Sequence, residues 1–378
     1  MKKILYTATV ASHICQFHLP YFKMLQEMGY EVHVAAHDNL AEKNGLALKY
    51  VDKFFEVPFR RSPFSPKNLK AKKQLKRIID SEGYDIIVCN TPVGGIMTRL
   101  AAKGARRRGT RVIYIAHGFH FYKGASKKNW LIYYPIEKHF AKKCDTVVTI
   151  NEEDYLFAKS KFKCEVRRIH GAGVSTERYP IVSDEQKREA KIAAGYSPDD
   201  FICLCIGEIN ENKNQKMVIS AMAEVVKAHP NTYLLLAGNG PLEAELKERI
   251  CSLGLEKNVK MLGYVTNLED YQRISDLGIS CSIREGLGLN LIESMLSGNA
   301  VVATKNRGHS ELVRDGENGY LVENGDSAAL ASRICECISD RHSLNRMSEQ
   351  GYGFSKAYTV DAVKKEIESI LFDKQGIE

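Results

Sequence analysis

Two carboxylates eight positions apart enclose a glycine-rich stretch in the second half of the chain. The residues Arg-Glu-Gly-Leu-Gly-Leu-Asn-Leu-Ile-Glu occupy positions 284–293, and an apolar run continues to Gly298. The pattern predicts a strand over 279–283, a helix over 289–296 and a glycine turn between them. The N–H groups at such a helix start attract anions, and carboxylates accept hydrogen bonds from hydroxyl groups. A phosphate flanked by two carboxylates suits a sugar nucleotide.

The same residues could also form a plain strand–helix connection in which Glu293 is a solvated helix residue. However, the order Glu-Gly-x-Gly-Leu-x-x-x-Glu resembles the E-x7-E signature of family 4 retaining glycosyltransferases. This resemblance implies the GT-B fold, an α/β architecture of two Rossmann-like, doubly wound parallel-sheet domains facing a central cleft. It also implies transfer of a sugar from a nucleoside-diphosphate donor with retention of configuration, without a metal ion or another cofactor.

The composition is that of a globular protein with two domains. The chain has 378 residues, 44% of them hydrophobic, and no apolar stretch reaches the length of a membrane-spanning helix. The N-terminal residues enter a strand pattern directly and do not have the pattern of a signal peptide. The ten cysteines include no C-x-x-C pair and no zinc spacing, so we expect reduced thiols in a cytoplasmic protein.

The positive charge is concentrated in the first half. Residues 1–180 carry 32 Lys and Arg against 16 Asp and Glu, a balance of +16, whereas residues 181–378 carry 22 against 30, a balance of −8. Basic clusters at 67–77 and 106–108 could bind an anionic membrane surface, a lipid diphosphate or a nucleic acid, or they could be solvated helix faces. Because they lack interleaved aromatic residues and any nucleic-acid-binding motif, a nucleic-acid partner is not expected.

Strands and helices alternate in both halves, which predicts parallel sheets. First-half strands are predicted at 4–8, 31–36, 85–89, 111–116 and 145–150, the last being the final clear strand of that half, with helices at 20–28, 67–80 and 94–103. Second-half strands are predicted at 201–206, 233–237, 259–262, 277–282 and 300–304, with helices at 214–228, 242–253, 268–274 and 328–339. Glycines and a proline at 170–180 mark a junction.

With the resemblance added, we predict three segments. Residues 1–175 form an N-terminal Rossmann-like acceptor-binding domain, and residues 176–355 form a C-terminal Rossmann-like domain that binds the nucleotide sugar. Residues 356–378 contain an amphipathic helix, over about 358–372, that crosses back to pack on the N-terminal domain.

The stretch from Gly207 to Lys213 resembles the family pattern Gly-Arg-x-x-x-x-Lys, in which both basic residues bind the donor diphosphate. Lys213 occupies the lysine position, and because cations are disfavoured at helix starts, its placement favours anion binding over a solvated role. Glu208 occupies the arginine position, where a carboxylate would repel a diphosphate. Either Glu208 points elsewhere or another cation compensates, such as Arg284 or a basic residue of the first domain.

The resemblance places the other donor contacts on strand-end loops. Gly238 lies on the turn that shapes the nucleotide pocket, although a plain turn would explain this glycine equally well. Glu311 is interpreted as a structural residue. The donor-binding residues are thus Gly207, Asn212, Lys213, Gly238, Gly263, Tyr264, Val265, Arg284, Glu285, Gly286, Leu287, Gly288, Leu289 and Glu293. Lys213 and Glu285 have catalytic roles, on the leaving diphosphate and on the sugar respectively, and Glu293 accepts the ribose hydroxyls.

In the first half, His117 ends a predicted strand and matches the family histidine that approaches the donor sugar, which makes it the third catalytic candidate. A lone histidine can equally be structural. The proposed acceptor-binding residues are His13, His18, Asn90 and Thr91, and the segment 9–20 replaces the family's usual double-glycine loop. An aromatic group formed by His120, Phe121, Tyr122 and Trp130 could be an acceptor platform or an ordinary packing cluster.

Taken with the family resemblance, these residues predict a metal-independent retaining hexosyltransferase with a UDP-sugar as the favoured donor. The basic first half favours a polyprenyl-diphosphate-linked or other lipid-linked acceptor, or a saccharide, met at the inner face of the plasma membrane during surface polysaccharide or glycolipid assembly. Two alternatives remain open at this point. One is a UDP-sugar epimerase of the same fold, and the other is an inactive sugar-nucleotide-binding partner subunit in which Glu208 has abolished turnover.

Overall fold

The computed structural model describes residues 1–42, 46–62 and 65–372, and the chain divides into two compact units. The first unit comprises Met1–Gly173 together with the chain from Val360 onwards, and the second comprises Val174–Thr359. The division falls inside the segment 170–180 that the sequence marks as a junction. Residues 373–378 of the predicted C-terminal segment lie outside the described residues.

The first unit is built on a parallel sheet with strand order β3-β2-β1-β4-β5-β6-β7. Its strands are β1 Lys2–Val10, β2 Tyr30–His37, β3 Lys53–Glu56, β4 Ile86–Asn90, β5 Arg111–Ala116, β6 Thr146–Thr149 and β7 Glu165–Arg168. Its helices up to the junction are α1 Ala11–Phe17, α2 Leu19–Glu27, α3 Lys67–Glu82, α4 Pro92–Ala101, α5 Lys103–Arg107, α6 Lys127–Ala141 and α7 Glu152–Lys161. The central strands are apolar runs because helices cover both faces of such a sheet, and all five residues of β4 are buried.

The second unit repeats this architecture with strand order β10-β9-β8-β11-β12-β13, again parallel. Its strands are β8 Phe201–Ile206, β9 Thr232–Ala237, β10 Val259–Gly263, β11 Leu277–Ser280, β12 Ala300–Thr304 and β13 Tyr320–Val322. Its helices are α8 Asp184–Ala193, α9 Gln215–Ala228, α10 Glu243–Ser252, α11 Leu268–Ile274, α12 Leu289–Leu296, α13 Arg307–Leu312, α14 Ser327–Ser339 and α15 Arg341–Ser355. The predicted parallel α/β sheets are therefore confirmed.

The last helix, α16 Val360–Phe372, belongs to the first unit. It buries Val363, Ile367, Ile370 and Leu371, and the Arg111 guanidinium donates a hydrogen bond to the Leu371 carbonyl (3.1 Å). These apolar positions recur at helical spacing, which is why the segment reads as amphipathic in the sequence. Among the described residues, no helix combines the length and the apolar character needed to cross a membrane.

Two local predictions are wrong. The strand predicted at 145–150 is not the last of the first half, because β7 follows it; β7 is a half-buried edge strand of sequence Glu-Val-Arg-Arg and lacks an apolar run. The strand predicted at 279–283 ends at Ser280, since β11 spans Leu277–Ser280. The segment 9–20 is also largely helical, because α1 begins directly after β1.

The basic cluster at 67–77 lies on the outer face of α3. That helix buries Asn68, Ala71, Leu75 and Ile79 on one side and leaves most of its lysines in solvent. The cluster at 106–108 is partly paired, since the Arg106 Nε donates to Asp145 (2.8 Å). Both clusters are thus accessible positive surfaces with ordinary helix packing beneath them.

Candidate functional site

In the second unit, glycines bring three strand ends into close contact. The Gly207 N–H donates to the Ala237 carbonyl (2.9 Å), and the Gly238 N–H donates to the Gly263 carbonyl (2.8 Å). Gly238 has φ +143°, and a Cβ placed there would lie 2.0 Å from the Gly207 carbonyl oxygen. A side chain at Gly238 would therefore force the backbone at Gly207 to move. The carboxyl ends of β8, β9 and β10 form one continuous edge, where open α/β sheets bind their ligands.

The central contact of this edge is an ion pair between Lys213 and Glu285. The Lys213 Nζ donates to the Glu285 Oε1 at 2.7 Å, and both side chains are half-buried. The Asn210 side chain accepts a hydrogen bond from the Lys213 backbone N–H (2.9 Å), which fixes the loop that carries the lysine. The pair joins residues 72 positions apart in the chain and places a cation and a carboxylate side by side.

The backbone of Glu285 is packed against the start of α13. A Cβ at Gly308 would lie 2.8 Å from the Glu285 Cβ and 2.9 Å from its carbonyl oxygen, so the close approach requires a glycine. The Asn212 amide donates to the Arg284 carbonyl (3.1 Å), and the Ile283 N–H donates to the Asn212 carbonyl (2.7 Å). The loops that carry Lys213 and Glu285 are thus cross-linked before any ligand binds.

The predicted glycine turn leads into α12 as expected. Gly288 precedes the helix, and the first-turn N–H groups of any helix lack intrahelical partners, so this end can face an anion. Behind the turn, the buried His309 donates from Nδ1 to the Thr304 carbonyl (2.7 Å), and burial lowers its pKa to about 4. With Nδ1 as donor, His309 Nε2 accepts from the Ser280 hydroxyl (3.1 Å). His309 therefore supports the turn as a neutral imidazole.

Glu293 lies in the second turn of α12 and is not the solvated helix residue of the simpler interpretation. Burial raises its pKa to about 7, and the nearby Arg178, Tyr179 and Lys213 only partly offset that effect. Because this pKa lies near neutral pH, a ligand that donates hydrogen bonds to the carboxyl group stabilises its ionised form. Ribose hydroxyls are donors of this kind.

Glu208, the departure from the family pattern, is exposed to solvent. Its carboxylate accepts a hydrogen bond from the Asn210 amide (3.0 Å), and its backbone carbonyl accepts from the Gln215 amide (3.1 Å). Arg284, the candidate compensating cation, is also exposed. The remaining predicted donor residues lie on the same edge: Gly263 ends β10, Tyr264 is 60% exposed, and Val265 is half-buried.

In the first unit, the histidines are brought together. His117 follows β5, and its Nε2 lies 3.2 Å from the Nε2 of His13 and 3.3 Å from the Asn90 Oδ1. The Asn90 amide donates in turn to the Thr7 carbonyl (3.2 Å). Burial lowers the pKa of His117 to about 4 and also lowers the pKa of His13 and His18. The cluster is therefore neutral at physiological pH.

A pocket of about 450 Å³ opens beside this cluster. His13 and Thr91 line it together with Gln16, Arg61 and His120, whereas His18 and Asn90 are buried. Thr91 has φ +61°, a strained value for a threonine, and its hydroxyl lies 2.7 Å from the Thr9 hydroxyl. The four predicted acceptor residues thus fall into two that reach the pocket and two that are buried.

The predicted aromatic group of the first unit contains both core-packing rings and a ring that lines the pocket. Phe121 is 1% exposed, and Phe121 and Trp130 both pack against Tyr134 and Phe157, so these rings form a hydrophobic core. His120 stacks on Tyr133, and both of these rings line the pocket.

Sequence reasoning missed the residues beside Glu293 and part of the pocket lining. Arg178 and Tyr179 lie in the segment read only as a junction, and no motif marks them as partners of a helix more than a hundred positions away. Gln16 and Arg61 carry no motif either. Contacts of this kind depend on strand order, which local patterns do not encode.

Comparison with known proteins identifies the family. The family model "Glycosyl transferases group 1" matches residues 186–354, and "Glycosyl transferase 4-like" matches residues 3–151. EpsD of Bacillus subtilis (strain 168), which bears the name of a glycosyltransferase, is 45% identical over 366 residues, covering 95% of this chain and 94% of EpsD. This chain belongs to the family 4-like glycosyltransferases. Its activity is the transfer of a sugar.

More distant relatives agree with this assignment. An Escherichia coli protein named UDP-Gal:alpha-D-GlcNAc-diphosphoundecaprenol alpha-1,3-galactosyltransferase is 24% identical over 340 residues, covering 86% of this glycosyltransferase and 87% of that protein. The structure of Anabaena Alr3699/HepE in complex with UDP-glucose superposes with a TM-score of 0.77 at 21% identity, covering 98% and 99% of the two chains. The fold is therefore GT-B, with two Rossmann-like domains.

Proposed function

We propose that this glycosyltransferase moves a hexose or N-acetylhexosamine from a UDP-sugar to a lipid-linked or saccharide acceptor, with retention of anomeric configuration and without a metal ion. The second unit binds the donor and the first unit binds the acceptor. The name of the Escherichia coli relative, which specifies a UDP-sugar and a diphosphoundecaprenol acceptor, supports both substrate classes. The UDP-glucose bound to HepE supports the donor.

The Lys213–Glu285 ion pair carries this proposal. Its position before α12 supplies a fixed ammonium and a helix N-terminus to the same ligand, and both act where a leaving diphosphate gains negative charge. A site organised in this way has less need of a divalent ion to neutralise the diphosphate. Glu285 then lies free to accept sugar hydroxyls and to stabilise the oxocarbenium-like centre once the diphosphate draws Lys213 away.

The remaining residues complete the site. Glu293 accepts hydrogen bonds from the ribose hydroxyls, and the 263–265 loop contacts the nucleobase. In the first unit, His117 positions the donor sugar, with Asn90 and His13 orienting its ring. His13 and Thr91 contact the acceptor in the pocket, and the buried His18 packs against the His13 ring.

The surface of the first unit favours a membrane-borne acceptor. Helix α6 exposes Leu131, Ile132 and Ile136, which are 78%, 42% and 37% exposed, and the same helix carries exposed lysines at both ends. Apolar side chains flanked by lysines suit the interface of an anionic bilayer. A cytoplasmic enzyme that docks on the inner face of the plasma membrane in this way would meet a polyprenyl-diphosphate-linked acceptor in surface polysaccharide assembly.

A transfer assay with UDP-sugars and a short-chain polyprenyl-diphosphate-linked sugar tests the proposal. The reaction is run with EDTA, and the anomeric configuration of the product is read from its proton coupling constants. We expect turnover to persist in EDTA and the α-linked donor to give an α-linked product. A β-linked product would contradict retention, and loss of turnover in EDTA that Mg²⁺ restores would contradict metal independence.

A further inference from the structure

The first unit contains a cluster of three imidazoles whose chemistry goes beyond sugar positioning. His13, His18 and His117 each offer one ring nitrogen, and these three nitrogens lie within 4.8 Å of one another. Among the described residues, these three histidines form the one set of histidine, cysteine or carboxylate side chains whose spacing suits a metal ion. The residues come from α1, from the cap of α2 and from the end of β5, so the fold brings them together rather than the sequence.

His18 supplies an independent reason to look for a ligand. Its side chain is 2% exposed, and within the described part of the chain neither ring nitrogen makes a hydrogen bond of normal geometry, although the Asn90 amide lies nearby. A buried polar group without a partner destabilises the folded protein. Its ring packs against Tyr6 (5.4 Å between centroids) and is tilted toward His13 and His117 (5.6 and 5.9 Å). A ligand placed among the three rings would satisfy it.

The distances fit a tetrahedral ion after a small adjustment. Zinc binds imidazole nitrogen at about 2.0–2.1 Å, so two ligand nitrogens of a tetrahedral site lie about 3.4 Å apart. His13 Nε2 and His117 Nε2 are already at 3.2 Å. The other separations are at most 4.8 Å, so closing them to a tetrahedral site requires movement on the order of 1 Å, within reach of side-chain rotation.

The ligand chemistry favours a transition-metal ion over an anion. All three side chains are imidazoles, and the imidazole nitrogen is the commonest protein ligand of such ions. Imidazole ligands suit zinc and its neighbours in the first transition row better than magnesium or calcium. His117 donates to Asn90 or His13 from Nε2 in the absence of metal, and moving that proton to Nδ1 releases Nε2 for coordination.

We propose that His13, His18 and His117 together bind one Zn²⁺-type divalent transition-metal ion, with the fourth coordination position open to the pocket beside Thr91. The three histidines belong to the first unit, whereas Lys213 belongs to the second. A consequence for catalysis rests on the function proposed above. Because the ion occupies His117, the residue that positions the sugar, zinc reversibly slows transfer.

Metal binding is measured first, on tag-free full-length protein and without any sugar substrate. Zinc is titrated in competition with a chromophoric chelator, and Co²⁺ is used as a spectroscopic substitute. We expect one ion per chain and the intense visible absorption of tetrahedral Co²⁺. The variant His13→Gln should weaken binding by roughly a hundredfold. His18→Phe should do the same while keeping the aromatic packing on Tyr6.

His120→Gln is the matched control, because His120 lines the same pocket outside the cluster, and it should bind zinc like the unmodified protein. Circular dichroism in EDTA verifies that each variant is folded. Zinc binding that both cluster variants leave unchanged, or the absence of stoichiometric binding, would overturn the site. Zinc that binds at the cluster without slowing transfer would overturn only the proposed inhibition. Because zinc binding is measured without sugar substrates, failure of the proposed transferase reaction would leave the binding result intact.

Discussion

The two units end their parallel sheets in sites of opposite chemistry. In the second unit, the loops after β8 and β11 carry a lysine, paired at 2.7 Å with a glutamate, and α12 carries a carboxyl group whose pKa is raised to about 7. In the first unit, the ends of β1, β4 and β5 carry a threonine, an amide and neutral imidazoles. One architecture, used twice in one chain, therefore supports two binding chemistries through its loops alone.

The difference matches the charges of the two reacting groups, the donor diphosphate and the acceptor hydroxyl. A diphosphate needs a fixed cation, and Lys213 remains paired with Glu285 until the ligand arrives, which avoids leaving a partly buried charge uncompensated. An acceptor hydroxyl brings no charge, and neutral histidines can orient it without the cost of desolvating an ion. Each of the following experiments alters one side of this contrast.

Removing the cation of the second unit should have the largest effect. Lys213→Ala should lower kcat by roughly 100- to 1000-fold, the range seen when a preorganised group facing developing negative charge is deleted. Steady-state transfer rates measure the change. Lys216→Ala is the control, because Lys216 lies three positions further along the chain, in the first turn of α9, and pairs with the exposed Glu245. Equal losses in both variants would mean that general electrostatics, and not the placed ammonium, drives the reaction.

The close strand ends of the second unit predict a large stability effect. Gly238→Ala places a Cβ 2.0 Å from the Gly207 carbonyl, so we expect a loss of about 1–3 kcal/mol in the free energy of unfolding and weaker donor binding. Gly353→Ala serves as the control, because Gly353 lies on the exposed side of α15 with open space around it. That change should be neutral or stabilise the helix by up to about 1 kcal/mol. Chemical denaturation of both variants measures the contrast.

The raised pKa of Glu293 predicts opposite pH trends for stability and for donor binding. Its pKa is raised from 4.5 to about 7 in the folded protein, so the free protein loses stability as pH rises through that interval. Ribose hydroxyls favour the ionised form, so UDP-sugar affinity should rise about tenfold from pH 6 to pH 8. Calorimetric titration at several pH values measures this, with Glu293→Gln as the control. A pH-dependent affinity that persists in Glu293→Gln would assign the titration to another group.

The smallest expected effect concerns Glu208. Since its carboxylate is exposed, Glu208→Arg should tighten UDP-sugar binding by about tenfold, the scale of a charge reversal near the surface. Glu208→Gln should give an intermediate change. No change in either variant would indicate that Glu208 lies too far from the diphosphate to matter, and that the family pattern does not describe this loop.

The sequence predicted the second unit better than the first, for physical reasons. There, α12 and β12 are apolar runs on either side of Gly298, and they begin and end at the predicted residues, as does the amphipathic α11. In the first unit, α1 follows β1 without an intervening turn residue, and the polar edge strand β7 gives no alternating or continuous apolar signal. Local patterns failed where an element is short or lies at a sheet edge.

The candidate sites show the same limit. Lys213, Glu285 and Glu293 could be singled out because they belong to short local motifs. Their pairing could not be predicted, nor could the proximity of Tyr179 to Glu293, because both depend on which strands are neighbours. The convergence of the three histidines likewise becomes apparent only when β1 and β5 lie in one sheet.

The most direct test of the account is thermal unfolding of the protein with a panel of UDP-, GDP-, ADP- and dTDP-sugars in EDTA, alongside Glu293→Ala. A ligand that binds only the folded state raises the melting temperature, and at about 100 times its Kd it adds about 2.7 kcal/mol of stability. The account predicts a shift of several degrees with UDP-sugars, little with the other nucleotides, and loss of the shift in the variant. An equal shift in Glu293→Ala, or none with any UDP-sugar, would contradict a donor site at the charged edge of the second unit.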